Sequence, residues 1–458
     1  MLENRGVGDT FNFLDYFSPN PPVMTVTNLH KTFDGLKKFV HEAALDLQYR
    51  ARPQDFTRDR LLPFHRVVSI VLSAMKKPLD LELKIIFDLV EGLDCPTDSA
   101  LCQARKKLLS EFFVRWLGRQ SELVYECPHE TFNGFRIIAV DGSVAFLPDN
   151  PAMRKAFPPV ANNGDPMQAR ILCWYDVLNH HAVQTLLGPS SRTEIDMAFD
   201  GLGSFGKSDI LIYDRHFPGW GLMRLHQMKE IPFVMRCKIS FNNVVKDFVK
   251  SGVLETVAQF FAVKKSVDRL HGLGVATKAG AMLTVRLVRV DIGGAEPEVL
   301  VTSLLDTEKF PHGVFKDLYF KRWGVETYFD RIKNKFQLQV FSGKTVESVK
   351  QDFFATIFLA NLQSMMVRAV KPEVTRASNG RKHQYQVNWS KSLGLLKPMI
   401  TIMFAPGDGA ESLKILLREM ALLRYCEPVR KGRKVPRSMK RRQLRTKHCH
   451  WTNFKRAI

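Results

Sequence analysis

Three carboxylates in this sequence have the surroundings that metal-dependent chemistry requires. Asp141 and Asp214 each follow an apolar run that is typical of a buried strand, and Glu326 lies in a stretch with helical periodicity. Clustered carboxylates are hard oxygen ligands for divalent metals such as Mg²⁺, and without a cation they would repel one another. Two ions roughly 3.5–4 Å apart can activate an attacking oxygen and stabilise the leaving oxygen of a phosphoryl transfer. Asp141, Asp214 and Glu326 are therefore candidate metal ligands and catalytic residues.

The stretch from Lys316 to Phe336 is predicted to form one amphipathic helix. It contains no proline and one glycine, and its apolar residues recur at helical spacing. A separate face collects the polar residues Tyr319, Arg322, Glu326, Asp330 and Lys333. On that face, Glu326 lies between the two cations Arg322 and Lys333. A carboxylate flanked in this way could serve either a metal site or an anionic ligand.

Each of these features also has an ordinary structural explanation. An aspartate after a strand commonly forms a turn, and the polar face of an amphipathic helix is commonly a solvated surface. Two strand-end aspartates followed by a polar helix face favour a metal-dependent nuclease or transferase over either explanation alone. At this point both interpretations stay open.

The alternation of strand-like and helical runs predicts an α/β protein of several domains. The N-terminal part is predicted to be helical, and it suits either DNA binding or a cap on another domain. The segment 239–297 is predicted to be a β-rich insertion rather than part of the central sheet. The predicted units are a helical domain at 1–130, the first part of a core at 131–238, the insertion at 239–297, the second part of the core at 298–370, and a helical region with a basic tail at 371–458.

Short apolar runs predict the individual strands of the core. Arg136–Ser143 is predicted to be a central strand with Asp141 at its carboxyl end, and Ser208–Asp214 repeats that pattern. Further strands are predicted at Ala169–Tyr175, Ala182–Leu187, Phe233–Lys238, Met282–Val290 and Glu298–Leu304. Helices are predicted at Leu29–Leu47, Leu61–Met75, Asp80–Val90, from Thr97 to Trp116, and at Glu194–Phe199, Trp220–Met228, Thr345–Val370 and Glu411–Tyr425.

The charge balance points to a polyanionic partner. The 458 residues include 67 Lys and Arg against 46 Asp and Glu, which gives a formal net charge of +21. Nucleic acid is the first candidate and a membrane surface the second. From Val429 to Ile458 there are 12 Lys or Arg and no Asp or Glu, so this tail is predicted to contact DNA without sequence specificity.

Other features indicate a reducing, cytoplasmic location. The seven cysteines are scattered and no pair has C-x-x-C spacing. The N-terminus lacks the layout of a signal peptide, and apolar runs such as Val67–Met75 are too short to cross a bilayer. His448-Cys449-His450 could hold a metal, but no second half-site lies near it in sequence.

The polar helix face resembles the signature of a known enzyme family. Tyr319, Arg322, Glu326 and Lys333 reproduce, in type and spacing, the Y-(2)-R-(3)-E-(6)-K signature of DDE transposases of the insertion sequence four family. The segments IIAVDGS, SDILIYDRHF, FSGKTVESVKQDFFATIFLANL and TDSALCQARKKL are also similar to that family. The resemblance covers most of residues 95–400.

The resemblance implies a fold, an activity and a set of roles. It implies an RNase H-like core in which Asp141, Asp214 and Glu326 hold two Mg²⁺ ions, for which Mn²⁺ can substitute. It implies excision of an element by nicking, hairpin formation, hairpin opening and strand transfer into target DNA. The partners implied are the terminal inverted repeats, the target DNA and a second copy in a homodimer. The DNA-binding residues implied are Tyr319, Arg322, Lys333, Trp323 and Arg215.

Two departures from the family bear on the hairpin. After Asp214 the family usually has Arg, a small residue and Tyr, whereas this chain has Arg215, His216 and Phe217. Some relatives stack a flipped base on an indole in the insertion, but this sequence has no tryptophan between Trp220 and Trp323. The stacking residue would then be one of Phe241, Phe248, Phe260, Phe261 and Trp323.

Two other functions compete with the transposase interpretation. One is an RNase H-fold nuclease that cleaves without strand transfer, and the other is a DNA-binding derivative that has lost catalysis. The three intact carboxylates disfavour the second alternative.

Overall fold

The computed structural model describes residues 16, 24–58, 60–73, 76–88, 94–159, 166–291, 297–407 and 409–429. The beginning of the chain, the triplet His448-Cys449-His450 and the basic tail from residue 430 onward lie outside these ranges. The predictions made for the tail and the triplet therefore stay predictions.

The fold is mixed α/β, with one large sheet and many helices. The strands of the large sheet are β1 (Arg136–Phe146), β2 (Gln168–Asp176), β3 (His181–Pro189), β4 (Asp209–Tyr213), β5 (Phe233–Cys237), β6 (Glu255–Phe261), β7 (Met282–Val290) and β8 (Glu298–Thr302). A small second sheet is formed by β9 (Tyr385–Val387) and β10 (Cys426–Pro428).

The helices lie in three groups along the chain. The first group is α1 (Val26–Ala43), α2 (Phe64–Leu72), α3 (Leu79–Asp88), α4 (Asp98–Arg105) and α5 (Glu111–Tyr125). The second group, between the strands, is α6 (Pro151–Ala156), α7 (Glu194–Gly201), α8 (Trp220–Met228), α9 (Asn243–Ser251) and α10 (Lys264–Gly272). The third group is α11 (Val314–Phe320), α12 (Trp323–Asn334), α13 (Val346–Ala377), α14 (Trp389–Met403) and α15 (Ala410–Ala421).

The large sheet has the strand order β3-β2-β1-β4-β5-β8-β7-β6. Strands β1, β4 and β5 run parallel to one another, whereas β2 and β3 form an antiparallel hairpin on one side of β1. On the other side, β8 pairs antiparallel with β5, and β7 and β6 continue the antiparallel order. Parallel strands need helical crossovers, which explains the helices that follow β3 and β4.

The central strands are buried on both faces. All five residues of β4 are buried, and Ile137 to Val140 of β1 are at most 1 % exposed. Side chains alternate between the faces of a strand, so Ile137 and Ala139 join the core cluster that contains α12 and α13. Ile138 and Val140 join the opposite cluster, which contains α7 and α8. Covered on both sides, these strands read as continuous apolar runs in the sequence.

The segment 239–297 does not form a β-rich unit outside the central sheet. Its strands β6 and β7 extend the large sheet, because β8 returns antiparallel to β5 and offers its second edge to β7. The segment also contains the two helices α9 and α10. The expectation of a separate sheet was wrong, since strand character in the sequence does not say which edge a strand will pair with.

The stretch 316–336 is not a single helix. Helix α11 ends at Phe320 and α12 begins at Trp323. Between them the backbone N–H groups of Arg322, Gly324 and Val325 donate to the carbonyls three residues earlier, which tightens the chain relative to an α-helix. Helical periodicity continues across this turn, so the pattern of apolar residues did not reveal the break.

The first helical group shares its core with the sheet domain. Helices α1, α2 and α5 pack against α13, and the Trp116 ring stacks on Phe358 with centroids 3.7 Å apart. Trp116 also donates its indole N–H to the Leu36 carbonyl at 3.1 Å. The first helical group therefore packs on the same core as the sheet, and its two expected roles, DNA binding and a cap, stay predictions.

Helix α13 passes through the middle of the molecule. Its 32 residues are long and apolar enough to cross a bilayer, contrary to the expectation that no segment would be. Yet 94 % of its apolar window is buried inside the protein, which is the behaviour of a core helix. A helix that is apolar all round is buried within a large core as readily as in a membrane.

Candidate active site

The sheet register brings Asp141 and Asp214 together. The pairing of β1 with β4 runs from Arg136 opposite Asp209 to Val140 opposite Tyr213, so the two aspartates occupy the next position on adjacent parallel strands. Alternation directs both side chains to the face that α12 covers. Strand β1 continues past Asp141 to Phe146 through its pairing with β2, so Asp141 lies within the strand and not at its end as expected.

Helix α12 supplies the third carboxylate. Glu326 lies in the first turn of α12, which packs against β1 and β2. The approach is close at Gly324, where a Cβ atom would lie 3.0 Å from Cγ1 of Val177. Glycine therefore permits the start of α12 to sit directly on the sheet, and Glu326 follows two residues later.

The three carboxylates interact electrostatically. The pKa of Asp141 is raised from 3.8 to about 7, with burial as the largest cause; Arg322 lowers this pKa, and the negative charges of Asp214 and Glu326 raise it. A buried carboxyl whose neighbours are carboxylates holds its proton more tightly. The rise therefore reflects burial first, with the two neighbouring carboxylates adding to it.

Arg322 provides the positive charge at this cluster. Its guanidinium donates to Oε1 of Glu326 at 2.7 Å and lies 3.9 Å from Oδ2 of Asp141. The side chain is only 6 % exposed and lies over the rings of Tyr319 and Trp323, at 5.9 and 5.1 Å from their centroids. Burial alone would lower the Arg322 pKa, but Tyr319, Glu326 and Asp141 outweigh it and the pKa is raised.

Asp214 is held by the residues that follow it. The backbone N–H of His216 donates to Oδ1 at 2.8 Å, and Nδ1 of the same residue lies 2.9 Å from Oδ2. The sequence showed His216 only as a departure from the family pattern. Phe217, the second departure, is 1 % exposed and packs on Tyr213, so the position calls for an apolar ring.

The donor set fits a divalent cation. Among the described residues, no group of three His, Cys, Asp or Glu side chains is already arranged to hold a metal ion. Asp141, Asp214 and Glu326 nevertheless bring three carboxylates, which are hard oxygen ligands, to one edge of the sheet. Arg322 supplies a positive charge beside two of them in the structure.

Two buried polar groups beside the carboxylates lack partners. Tyr319 is 2 % exposed, and within the described part of the chain neither its hydroxyl nor Nε of Arg322 has a hydrogen-bond partner of normal geometry. Burial raises the pKa of Tyr319, while Arg322 opposes that rise. An unsatisfied buried donor is costly, so these groups are suited to an anionic ligand.

The other expected DNA-binding residues lie around this centre. Lys333 donates its ammonium to Oγ of Ser143 at 2.6 Å, which ties α12 to β1 just beyond Asp141. Trp323 is 37 % exposed, and Arg215 is exposed directly after Asp214. Ser143 was not singled out in the sequence, although the IIAVDGS segment contains it.

The exposure of the side chains bears on Asp330, which the sequence left without a role, and on the candidate stacking rings. Asp330 is exposed and accepts from Nδ2 of Asn334 at 2.6 Å, a bond between neighbouring turns of the helix surface. Of the candidate stacking rings, Phe248 and Phe260 are buried at 4 % and 2 % exposure, whereas Phe261 is 58 % exposed. Phe261 and Trp323 are the exposed rings of this set, and Phe241 is half-buried.

Comparisons with known proteins identify the family of this chain. A family model described as the transposase DDE domain matches residues 133–362, which span β1 to α13. The chain is 24 % identical over 354 residues to the transposase InsG for insertion sequence element IS4 of Escherichia coli (strain K12), covering 75 % of this chain and 76 % of that protein. Among solved structures, a piggyBac transposase synaptic complex with hairpin DNA is similar at 12 % identity and a TM-score of 0.42, over 88 % of each chain.

The family match includes the two strand aspartates and the helical glutamate, together with the Tyr-Arg-Glu-Lys face. DDE transposases are DNA-cleaving enzymes, and the family generally uses a divalent metal. The chain belongs to the DDE transposases and is a transposase of the IS4 type.

Proposed function

We propose that this protein is a Mg²⁺-dependent DNA endonuclease and strand transferase that excises and inserts its own insertion sequence. The observation that carries the proposal is the register of β1 and β4, which sets Asp141 beside Asp214 on the face where α12 presents Glu326. Three carboxylates on one sheet edge with a basic surrounding suit metal-assisted phosphoryl transfer on DNA.

The order of the strands supports an RNase H-like core. In β3-β2-β1-β4-β5, the first three strands pair antiparallel with one another, and β4 and β5 run parallel to β1. We propose that this five-stranded part is the catalytic core. The strands β6 to β8 and the helices α9 and α10 then form its insertion.

The proposed reaction assigns separate roles to the carboxylates and to the residues beside them. Asp141, Asp214 and Glu326 would hold Mg²⁺, or Mn²⁺ in its place, which supplies activation of the attacking oxygen and stabilisation of the leaving oxygen. Arg322 and Lys333 would pair with phosphates of the DNA end, and Tyr319 would donate its unsatisfied hydroxyl.

The finer steps follow from the same assignment. Hairpin formation at the element ends needs a ring that can stack an unpaired base, and exposed Trp323 beside Arg322 is our candidate. Strand transfer into target DNA reuses the same three carboxylates. A homodimer on paired ends would bring two such centres to the two ends of the element.

The test compares wild-type protein with Glu326→Gln on DNA that carries the element end. We expect wild-type protein with Mg²⁺ to nick and release this DNA. The variant should bind the same DNA and cleave it at least roughly 10³-fold more slowly. Asp330→Asn makes the same chemical change on the exposed side of α12 and serves as the matched control. Cleavage by Glu326→Gln at the wild-type rate would show that the carboxylate assignment is wrong.

The two competing functions are separated by the products. A nuclease without strand transfer would release ends but never join them to a supercoiled target. A silent derivative would bind the ends and leave them intact with either Mg²⁺ or Mn²⁺. Recovery of joined products, absent with Glu326→Gln, supports the transposase over both.

A further inference from the structure

A basic groove lies next to the carboxylate site. Its volume is about 610 Å³, within the range of roughly 300–1,000 Å³ that is common for ligand sites. Its basic lining residues are Arg215, Arg236, Lys238 and Lys246, and the single carboxylate is Glu298. The remaining polar side chain is Ser240.

The groove arises from the sheet topology. Strands β4 and β5 run parallel, so the loops after Tyr213 and Cys237 leave the same edge of the sheet. Strand β8 is antiparallel to β5 and begins at Glu298, which places its first residue at that edge too. Helix α9 starts just beyond and contributes Lys246 from its first turns.

The groove borders the proposed catalytic centre at Arg215. Arg215 directly follows Asp214, and the charge of Arg236 acts on Tyr319, the ring that lies beside Arg322. A ligand bound along the groove would therefore reach the carboxylates without leaving the protein surface.

The charges of the groove are unbalanced. Arg236 is paired with Glu298, with Nε donating to Oε2 at 2.6 Å. Among the residues that the structure describes, the exposed side chains of Arg215, Lys238 and Lys246 form no ion pair. Three unpaired cations along one groove attract a chain of regularly spaced anions rather than a single ion.

The lining also excludes some modes of recognition. No aromatic ring is among the described residues of the groove, so bases cannot stack there as they do in many single-strand sites. Lysine contacts a phosphate as a point charge and carries no sequence information. The groove therefore matches the backbone of a DNA strand and not its bases.

We propose that this groove binds the phosphate backbone of the DNA strand that flanks the cleaved position, through Arg215, Lys238 and Lys246, independently of sequence. The proposal rests on the proposed function for the identity of the polyanion. The groove then orients the DNA strand relative to Asp214. Glu298 weakens DNA binding by the groove, because it pairs with Arg236.

The test measures the salt dependence of DNA binding by Lys238→Ala/Lys246→Ala. Affinity for an end-bearing duplex is measured by fluorescence anisotropy over a salt series in EDTA, so that no cleavage occurs. The slope of log K against log salt is negative, and each lost phosphate contact makes it shallower by roughly 0.9. For the loss of two contacts we therefore expect the magnitude of the slope to decrease by about 2. The same decrease is expected on a scrambled duplex.

Two further variants make the result specific. Lys264→Ala/Lys265→Ala removes the same charge from exposed positions on α10 outside the groove and should leave the slope near the wild-type value. Glu298→Gln releases Arg236 and should steepen the slope by roughly 1. Equal slopes for the groove and control variants, or a loss confined to the element end, would overturn the groove assignment.

This outcome is independent of the cleavage test. If wild-type protein fails to cleave DNA while the groove variant still shows the shallower salt slope of DNA binding, the proposed function is wrong and the groove assignment is supported. If wild-type protein cleaves and the groove variant matches its control, the groove assignment alone is wrong. Thermal unfolding is measured on each lysine variant. A midpoint equal to that of the wild-type protein shows that the exposed lysines do not contribute to folding.

Discussion

At the scale of single residues, the site is a balance between three carboxylates and one guanidinium. Asp141 is the most buried of the acids, and its pKa of about 7 reflects burial first and its neighbours second. Arg322 contacts both Asp141 and Glu326 and is itself almost fully buried. A cation that enters among the carboxylates would free Arg322 for a phosphate, so the same arginine can serve both states.

The raised pKa of Asp141 predicts a pH-dependent gain in stability for Asp141→Asn. A carboxyl whose folded pKa lies above its unfolded value near 3.8 stabilises the protonated folded state, and this contribution is lost as the pH rises toward about 7. The asparagine variant avoids that loss. In EDTA we expect its free energy of unfolding to exceed the wild-type value at pH 8 by roughly 1–3 kcal/mol, and by less at pH 5.

Urea unfolding at the two pH values measures this difference. Asp330→Asn, on the exposed face of α12, should show no such pH dependence. Mg²⁺ should raise the stability of the wild-type protein at pH 8 and leave Asp141→Asn less affected. A wild-type advantage at pH 8 in EDTA would contradict the burial argument.

At the scale of elements, the catalytic geometry depends on how closely α12 approaches the sheet. The strand register fixes Asp141 and Asp214 relative to each other, whereas Glu326 comes from an independent helix. The approach is close at Gly324, which faces Val177 at the β2–β3 turn. Arg322 lies in the tight turn between α11 and α12, at the N-cap position of α12, and its side chain reaches Glu326 and approaches Asp141.

Gly324→Ala is predicted to impair cleavage more than stability. The added Cβ would lie 3.0 Å from Cγ1 of Val177, so α12 or the turn must move by a few tenths of an ångström. Alanine favours a helix over glycine by up to about 1 kcal/mol, which offsets part of the strain. Small displacements of a catalytic group are costly in rate, and we expect a decrease in cleavage of roughly tenfold or more.

Single-turnover cleavage and urea unfolding, measured on the same preparations, check this prediction. Trimming the opposing side chain in Gly324→Ala/Val177→Ala should restore most of the rate. Full activity of Gly324→Ala alone would mean that the turn at Val177 moves to accommodate the Cβ atom while Glu326 keeps its position.

At the scale of the whole molecule, helix α13 joins the N-terminal helices to the sheet. Arg105 at the end of α4 donates from Nη2 to Asp352 at 2.8 Å and from Nε to Gln351 at 2.6 Å, and all three side chains are buried. The same guanidinium also reaches the Ser348 carbonyl at 2.8 Å. This buried pair fixes the first helical group on α13, the helix that follows α12 in the chain.

Arg105→Ala is predicted to destabilise the protein by about 3–5 kcal/mol, because it leaves Asp352 buried without its counter-ion. Arg105→Lys should recover little, since an ammonium cannot make the same fork of bonds. Arg119→Ala, which removes exposed pairs with Glu122 and Glu126, should cost less than about 1 kcal/mol and is the control. Equal losses for Arg105→Ala and Arg119→Ala in urea unfolding would contradict a structural role for the buried pair.

Much of the secondary structure could be predicted because its determinants are local. The helix at Trp220–Met228 and the strand at Met282–Val290 have the predicted bounds, and Thr97 caps α4 as expected. Long-range pairing was not predictable in the same way. The joining of β6 and β7 to the central sheet and the break before Trp323 depend on which edges and faces are free after folding.

The sequence alone determined the family, because the Tyr-Arg-Glu-Lys spacing lies within one short stretch and each of the two aspartates follows a short apolar run. Only the tertiary structure decided that Asp141 lies within a continuing strand, that Arg322 is buried between two carboxylates, and that a basic groove adjoins Asp214. These features depend on the register of β1 with β4 and on the antiparallel return of β8. Registers and edges are set by contacts between segments far apart in the chain, which no local pattern records.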